Sequence, residues 1–267
     1  MANSRLCLYK FIESRRSKGL ADSTIRWYEG ILSPFCENCR KLPQKPDAVE
    51  RYIMSCRGGD ERRHGYYRAL RAFYRWCHRR LGLKNPVDLI EAPKRSKKSP
   101  IFLTADGLDQ LLSYPHKPII KACLLFLSDT GCRVAELANL NPDDFIETPQ
   151  GYIAKVKGKT GERLVPLSAI TRTAIIRFLP LPFTPYRLRI KIARAFKDAH
   201  VRGSSKTLRH TFGTLWMGDE FALQRIMGHA YITTTQQYRH LRTEVLNEQH
   251  SRHTPLNQVF ARTKSML

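Results

Sequence analysis

The 267-residue sequence predicts a mainly α-helical protein with a small β-sheet, in which an all-helical first unit precedes a mixed α+β unit. Apolar residues recur at helical spacing through residues 1–92, whereas the later stretch 151–167 alternates between apolar and polar residues, as a pair of strands does. The segment 93–99, "PKRSKKS", is polar and basic and begins with proline, which is typical of a linker. The predicted parts are therefore 1–92, 93–99 and 100–267.

Three helices are predicted in the first unit. Ser23 is expected to cap one of them, because an i, i+3, i+4 apolar stripe follows it, and a second helix is expected to begin near Asp47. The longest is expected from about Asp60 to Leu81, where two stripes run along the sequence at helical spacing. One stripe is apolar (Tyr66, Leu70, Phe73 and Cys77) and the other is basic (Arg68, Arg71, Arg75 and Arg79).

The second unit mixes helices with one predicted β-hairpin. The apolar stretch "IIKACLLFLSDTG" predicts a helix that ends at Gly131, and "CRVAEL" begins the next one, before a turn at "NPDD". The hairpin is "GYIAKVKGKTGERLVPL", which turns at "GKTG". Further helices are expected at about 187–199, 205–217, 219–227 and 234–247. In the second of these, the 205–217 helix, Ser204 or Ser205 would cap the start, and Leu208, Phe212 and Leu215 would form the buried stripe.

The charge balance points to a polyanionic partner. The chain has 46 Lys and Arg against 23 Asp and Glu, a net charge of +23, and this favours nucleic acid above other partners. Before residue 100 there are 23 basic and 10 acidic residues, so both parts of the chain are cationic. The basic stripe of the longest helix is therefore predicted to contact DNA phosphates, with an ordinary solvated face as the alternative.

Other sequence features bear on location and metal binding. The sequence contains no run of about 18 apolar residues, so no membrane span is predicted. The N-terminus lacks the apolar core of a signal peptide. Seven cysteines, an odd number, suggest reduced thiols in the cytoplasm. Cys36 and Cys39 form one C-x-x-C pair, but a structural zinc site normally needs four ligands, so no metal is expected.

Arg133 and Lys159 are the first candidate functional residues. Arg133 is expected in the first turn of its helix, where the helix dipole disfavours a cation by about 0.3–1 kcal/mol. An anion bound at that helix end would explain it, and so would an ion pair with Glu136 three residues on. Lys159 lies near the tip of the hairpin, where most lysines are merely solvated.

A second group lies near the end of the chain. Lys206, Arg209 and His210 are three and four residues apart on the predicted helix, so three basic groups would share a face and favour an anion. His229 follows Gly228, a plausible helix stop, and Tyr238 comes nine residues later, four residues into a helix that Thr234 can cap. A lone tyrosine at helical spacing is ordinarily a core residue.

In combination these segments resemble the tyrosine recombinase (phage integrase) family, in its two-domain XerC/XerD-like form. "TGCRVAEL" looks like the family's first arginine motif, "GKTGERLVPL" like its lysine hairpin, "LRHTFGTL" like its second arginine motif, and "LQRIMGHAYITTTQQY" like its histidine-to-tyrosine motif. "STIRWYEGILSPF" and "RALRAFYRWCHRRLGLKNPVDLI" are similar to the helical core-binding domain of the family. The resemblance implies a DNA-binding domain over 1–92 and a catalytic domain with a C-terminal tail over 100–267.

The resemblance also implies a reaction. Tyr238 would attack a scissile DNA phosphate and form a 3′-phosphotyrosine, with release of a 5′-hydroxyl. Arg133 and Arg209 would clamp the non-bridging oxygens of the phosphate, and Lys159 would protonate the departing 5′-oxygen.

Lys206 and His229 would complete the hydrogen bonds around the phosphate. Glu136 would orient the guanidinium group of Arg133. His210 would have a structural role next to the residues that contact the phosphate. Lys206 is a departure from the family, which usually has histidine at this position. A lysine still donates to a phosphate oxygen but is a poorer proton acceptor at neutral pH.

The expected partner is double-stranded DNA carrying inverted-repeat core sites. The resemblance implies that four protomers assemble on two such sites and that the reaction passes through a Holliday junction. It also implies accessory DNA-bending proteins as further partners, and integration or excision of a mobile genetic element as the role. No cofactor, metal or membrane is implied. Two alternatives remain open: a type IB topoisomerase-like enzyme that relaxes DNA, and a catalytically inactive DNA-binding regulator derived from an integrase.

Overall fold

A computed structural model of the chain describes residues 2–94, 99–158 and 161–228. The chain divides into two compact units, 1–98 and 99–267. Within the described residues no helix is both long and apolar enough to cross a membrane.

The first unit is built from helices, as the sequence predicts. They are α1 (Ser4–Arg16), α2 (Asp22–Asn38), α3 (Pro46–Met54) and α4 (Asp60–Leu81), followed by a 3₁₀ turn at Pro86–Leu89. Sequence reasoning missed α1, whose first turn is capped by the side chain of Asn3. The prediction that Ser23 caps α2 is wrong, because the helix already begins at Asp22 and its acidic side chain complements the helix dipole there.

Aromatic rings fill the core of the first unit. The Phe11 ring lies 5.1 Å from Tyr28, 5.3 Å from Phe73 and 5.8 Å from Trp76, measured between centroids. The apolar stripe of α4 is confirmed at Leu70, Phe73 and Cys77, but its first position, Tyr66, is only partly buried.

The cysteines of this unit are predominantly part of the same core. Cys36 and Cys77 are almost fully buried, and burial raises the pKa of the Cys36 thiol to about 12. A thiol that stays protonated at neutral pH is a poor metal ligand and a poor nucleophile. Among the described residues, no group of three or more His, Cys, Asp and Glu side chains is placed to hold a metal ion.

The second unit combines seven described helices with one sheet. The helices are α5 (Ala105–Ser113), α6 (Pro118–Thr130), α7 (Val134–Ala138), α8 (Ala169–Ile176), α9 (Pro185–Asp198), α10 (Ser205–Leu215) and α11 (Glu220–Met227). The antiparallel sheet has the order β1 (Phe145–Thr148), β2 (Gly151–Gly158) and β3 (Gly161–Leu167). The mainly α fold with a small sheet is thus confirmed, while α5, α8 and β1 were not foreseen.

The α6 helix is central to this unit. Leu124, Phe126 and Leu127 are fully buried in the same apolar cluster as Ala154, Val156 and Val165 of the sheet. Strand register pairs Ala154 with Val165, and β3 packs against α6 while β2 packs against α7 and α8. The core thereby fixes where α6 ends and where β3 begins, and both points belong to the site described below.

The predicted apolar stripe of α10 is correct only at Leu208. Phe212 is partly exposed and the side chain of Leu215 is 39% exposed. The buried face instead carries small and polar residues, Thr207, Thr211, Gly213 and Thr214, together with Arg209. Small side chains let α10 approach α6 closely, and this approach also takes Arg209 inside. The helix predicted at 234–247 lies outside the described residues.

Candidate active site

The α6–α7 junction presents Arg133. Gly131 ends α6 with a left-handed φ of 61°, and Arg133 is the N-cap residue of α7 with extended backbone. Arg133 therefore lies one position before the first turn in which the sequence analysis placed it. Its side chain is 41% exposed.

Glu136 holds Arg133 in place from the first turn of α7. One carboxylate oxygen accepts the backbone N–H of Arg133 at 2.7 Å, and the other accepts a guanidinium N–H of Arg133 at 2.9 Å. The ion pair that the sequence offered as the simpler explanation of Arg133 is therefore present. It leaves the outer part of the guanidinium exposed.

Arg163 on β3 is the second partner of Glu136, and sequence reasoning missed it. Its Nη1 and Nη2 donate to the two carboxylate oxygens at 2.9 and 2.8 Å, and its Nε donates to the carbonyl of Ile226 at 2.7 Å. The Arg163 side chain is 11% exposed and that of Glu136 2%. Strand alternation gave a usable signal, because Arg163 shares its face with the buried Val165 and Leu167.

The two guanidinium groups determine the charge state of Glu136. Burial alone would raise the pKa of this carboxyl group, but the hydrogen bonds and charge of Arg163, together with the hydrogen bonds from Arg133, outweigh burial and lower the pKa to about 2. The carboxylate is therefore ionised at neutral pH and stabilises both arginines.

Arg209 on α10 is a buried cation, 8% exposed, that links two helix ends. Its Nη1 donates to the carbonyl of Gly131 and its Nη2 to the carbonyl of Met227, both at 2.6 Å. Carbonyl groups in the last turn of a helix lack intrahelical partners and carry the negative end of the helix dipole. These two bonds use two of the five N–H donors of the guanidinium.

The predicted basic face of α10 is divided in the structure. Lys206 is exposed, Arg209 is buried and His210 is half-buried, so the three side chains do not share one environment. For Arg209, backbone carbonyl groups take the place of the anion that the sequence predicted. Burial, together with the positive charges of Lys206 and Arg209, lowers the pKa of His210 from 6.5 to about 4. His210 is therefore neutral at pH 7.

The C-terminal end of α11 meets both arginines. Gly228 ends the helix with a left-handed φ of 63°, as the sequence predicts, and the two preceding carbonyls accept from Arg163 and Arg209. The next residue is His229. His229, Tyr238 and Lys159 lie outside the described residues, as does the tail 248–267.

The described parts of the four recombinase-like motifs are therefore joined by the side chains of two arginines. Arg163 connects the hairpin to Glu136 in the first arginine motif and to the last turn of α11. Arg209 connects the second arginine motif to the end of α6 and to the same turn. Every one of these bonds lies between 2.6 and 2.9 Å.

The basic stripe on α4 does not behave as one surface. The guanidinium carbons of Arg68 and Arg71 lie 5.8 and 6.0 Å from the ring centroids of Trp27 and Tyr67, respectively. Arg75 and Arg79 instead line a cavity of about 460 Å³ within the first unit. All four side chains are exposed.

The chain is similar to known proteins in both sequence and fold. The tyrosine recombinase XerC of Pelobacter propionicus is 34% identical over 218 residues, which cover 70% of this chain and 71% of that protein. The tyrosine recombinase XerD of Listeria innocua is 29% identical over 269 residues, covering 84% and 90%. No family model matches the chain.

A solved structure shares the fold. The lambda integrase fragment 75–356, crystallised as a dimer bound to a COC′ core site, superposes with a TM-score of 0.77 at 18% identity, covering 91% of this chain and 97% of that one. Sequence and fold agree with the geometry of the four motifs. The chain belongs to the tyrosine recombinase family.

Proposed function

We propose that the protein is a site-specific DNA recombinase that cuts and rejoins duplex DNA through a 3′-phosphotyrosine at Tyr238. The observation that carries this proposal is the hydrogen-bond network in which Arg163 and Arg209 join the hairpin, α6, α7, α10 and the residues just before His229. A network of this kind holds Arg133 and the start of the histidine-to-tyrosine motif in fixed positions relative to each other. Residues 100–267 would form the catalytic domain, and 1–92 the DNA-binding domain.

In the first chemical step, the phenol oxygen of Tyr238 attacks the phosphorus. The phenol gives its proton to solvent water as the new P–O bond forms, the P–O5′ bond breaks, and Lys159 gives a proton to the leaving 5′-oxygen. A free phenol titrates near pH 10, so it needs stabilisation of the developing negative charge on the phosphate. Arg133 and Arg209 provide that stabilisation, since planar guanidinium forks match phosphate oxygens.

Lys206 and His229 donate further hydrogen bonds to the phosphate in this scheme. Lys206 is exposed on α10, so its four-carbon stem can reach a DNA strand lying over the unit. His210 stays neutral, as its lowered pKa requires, and contributes packing beside Arg209. Glu136 keeps Arg133 oriented while the phosphate charge changes.

The phosphotyrosine retains the energy of the broken phosphodiester bond, so rejoining needs no ATP. Attack by a 5′-hydroxyl from a second duplex exchanges strands, and two such rounds pass through a Holliday junction. Four protomers would assemble on two inverted-repeat core sites, with accessory DNA-bending proteins. The biological outcome we propose is integration or excision of a mobile element. The core site bound to lambda integrase supports duplex DNA as the partner.

The experiment uses nicked duplexes tiled across the DNA that flanks the gene. Wild type and Tyr238→Phe are incubated with each duplex and resolved on a denaturing gel. An SDS-resistant protein–DNA adduct with wild type alone is expected, and it locates the crossover point as well as the nucleophile. An adduct that persists in Tyr238→Phe contradicts the assignment of Tyr238.

Two other outcomes would favour the rival functions. Adduct formation with relaxation of supercoiled DNA and no strand exchange between two sites indicates a topoisomerase-like enzyme. DNA binding without adduct on any duplex indicates an inactive regulator, and Lys206→His then tests whether the departure from the family motif is the cause.

A further inference from the structure

A cavity of about 460 Å³ in the first unit is lined by five cationic side chains. Arg15 and Lys18 come from the end of α1 and its following turn, and Arg75, Arg79 and Arg80 come from the last two turns of α4. The remaining lining consists of serine, alanine and aromatic residues, with no carboxylate. We refer to this cavity as the basic pocket.

The cations of the basic pocket have no acidic partner within the described part of the chain. Arg16, on the same helix, is the contrast: it pairs with Glu13 at 3.0 Å and with Glu29 at 3.2 Å. Nothing comparable holds Arg15, whose guanidinium carbon lies 4.5 Å from the centre of the Phe11 ring. Its Nε is buried without a hydrogen-bond partner among the described residues.

These features are costly in the free protein. Like charges gathered around one cavity repel one another, and a buried donor without an acceptor loses the hydrogen bond it would make with water. An anion in the cavity would offset both costs, because it neutralises the cations and supplies an acceptor. Arginine makes up four of the five cations, and its planar fork binds phosphate oxygens in pairs.

The pocket also explains why the α4 stripe is divided. Arg68 and Arg71 lie near aromatic rings of their own unit, whereas Arg75 and Arg79, one turn apart, face the cavity with Arg15. We propose that the basic pocket binds a phosphate group, and that this phosphate belongs to the backbone of duplex DNA. The proposal rests on the proposed function for its source of phosphate.

The test compares Arg75→Gln/Arg79→Gln with wild type and with the matched control Arg16→Gln. The DNA-binding constant of the full chain is measured against salt concentration on the crossover duplex. Each phosphate neutralised contributes about 0.9 to the slope of log K against log salt. The double variant is expected to lose about 0.9 from the slope, because both arginines serve one phosphate, and Arg16→Gln is expected to match wild type.

Both substitutions in the double variant are at exposed positions, so it should fold, and an unchanged thermal unfolding midpoint checks this. An unchanged slope overturns the proposal. A loss of about 1.8 also overturns it, since it would assign the two arginines to separate phosphates. In either case the wild-type adduct still reports on the proposed function by itself.

A second arm titrates inorganic phosphate into the full chain by calorimetry. Saturable binding by wild type and by Arg16→Gln, lost in the double variant, is expected. If phosphate binding is lost but the DNA slope is unchanged, the pocket takes free phosphate and the assignment to DNA is wrong. If wild type binds neither DNA nor inorganic phosphate, both the proposed function and the pocket fail.

Discussion

The arginines of the two units are used in opposite ways. In the second unit, Arg163 and Arg209 are nearly buried, and their guanidinium groups donate to a carboxylate and to helix-end carbonyls of the same chain. In the first unit, Arg75 and Arg79 are exposed and line a cavity without any acidic residue. A desolvated cation must find its partners within the fold, whereas an exposed one can be kept for a ligand. The buried arginines fix the geometry of the site, and the exposed arginines supply affinity for a ligand.

The largest expected effect comes from removing the acceptor of the buried arginines. Glu136→Ala leaves the Arg163 guanidinium, 11% exposed, without its counter-charge. Breaking a buried pair in this way costs about 3–5 kcal/mol of unfolding free energy. Urea unfolding followed by circular dichroism measures the loss.

Glu136→Gln is the matched control for this prediction. It keeps the volume and one acceptor oxygen but not the charge, so it should cost clearly less than the alanine variant. If Glu136→Ala stays within about 1 kcal/mol of wild type, the network is not what stabilises the site.

Two glycines allow a second test that compares the units directly. Gly82 ends α4 and Gly131 ends α6, with left-handed φ values of 65° and 61°. A Cβ added at Gly82 would meet nothing within 4 Å, whereas one at Gly131 would overlap the Phe212 ring. Gly82→Ala should cost about 1–2 kcal/mol from backbone strain alone, and Gly131→Ala about 3 kcal/mol or more because the ring must also move.

Thermal or urea unfolding of the two alanine variants provides the measurement. Gly131→Ala should also slow adduct formation, because the Gly131 carbonyl holds Arg209. Equal stability losses in the two variants would show that α10 adjusts freely against α6.

A smaller effect is expected from pH. The pKa of His210 is lowered from 6.5 to about 4 in the folded chain, so the unfolded chain binds the additional proton between these pH values. The unfolding free energy therefore falls as the pH drops from about 6.5 towards 4, by roughly 2 kcal/mol once partial solvation is allowed for.

His210→Gln should be less sensitive to acid over this range than wild type. Urea unfolding at several pH values measures the difference in unfolding free energy between the two proteins, which is expected to change between pH 6.5 and 4 and to stay constant below pH 4. Glu136 responds at lower pH, since its stabilising charge is lost only as the pH falls from about 4.5 through 2. Parallel curves for wild type and His210→Gln between pH 6.5 and 4 would contradict the lowered pKa.

Local chemistry accounts for what could be predicted from the sequence. Gly131 and Gly228 were recognised as helix ends, and the hairpin was recognised from its alternation, because caps, glycines and strand periodicity act within a few residues. The ion pair of Arg133 with Glu136 was accessible for the same reason, since the two are three residues apart.

Tertiary contacts account for what could not. The buried guanidinium of Arg209 is satisfied by backbone acceptors that lie 78 and 18 residues away in sequence. No local sequence pattern shows these acceptors, so the burial could not be predicted. Arg163 was missed although its strand position favours an inward side chain, because a charged residue in a hairpin is ordinarily assigned to solvent.

The rate of adduct formation at saturating DNA distinguishes arginines that fix the site geometry from arginines that supply affinity. Arg75→Gln/Arg79→Gln is expected to keep the wild-type rate, because it alters only the affinity for DNA. Arg163→Lys is expected to lower the rate about tenfold or more, equivalent to about 1.4 kcal/mol in the barrier, and to leave the DNA affinity unchanged. Lysine keeps the charge but cannot bind both Glu136 oxygens and the Ile226 carbonyl in the same geometry. A slow pocket variant together with a fully active Arg163→Lys would contradict this distinction.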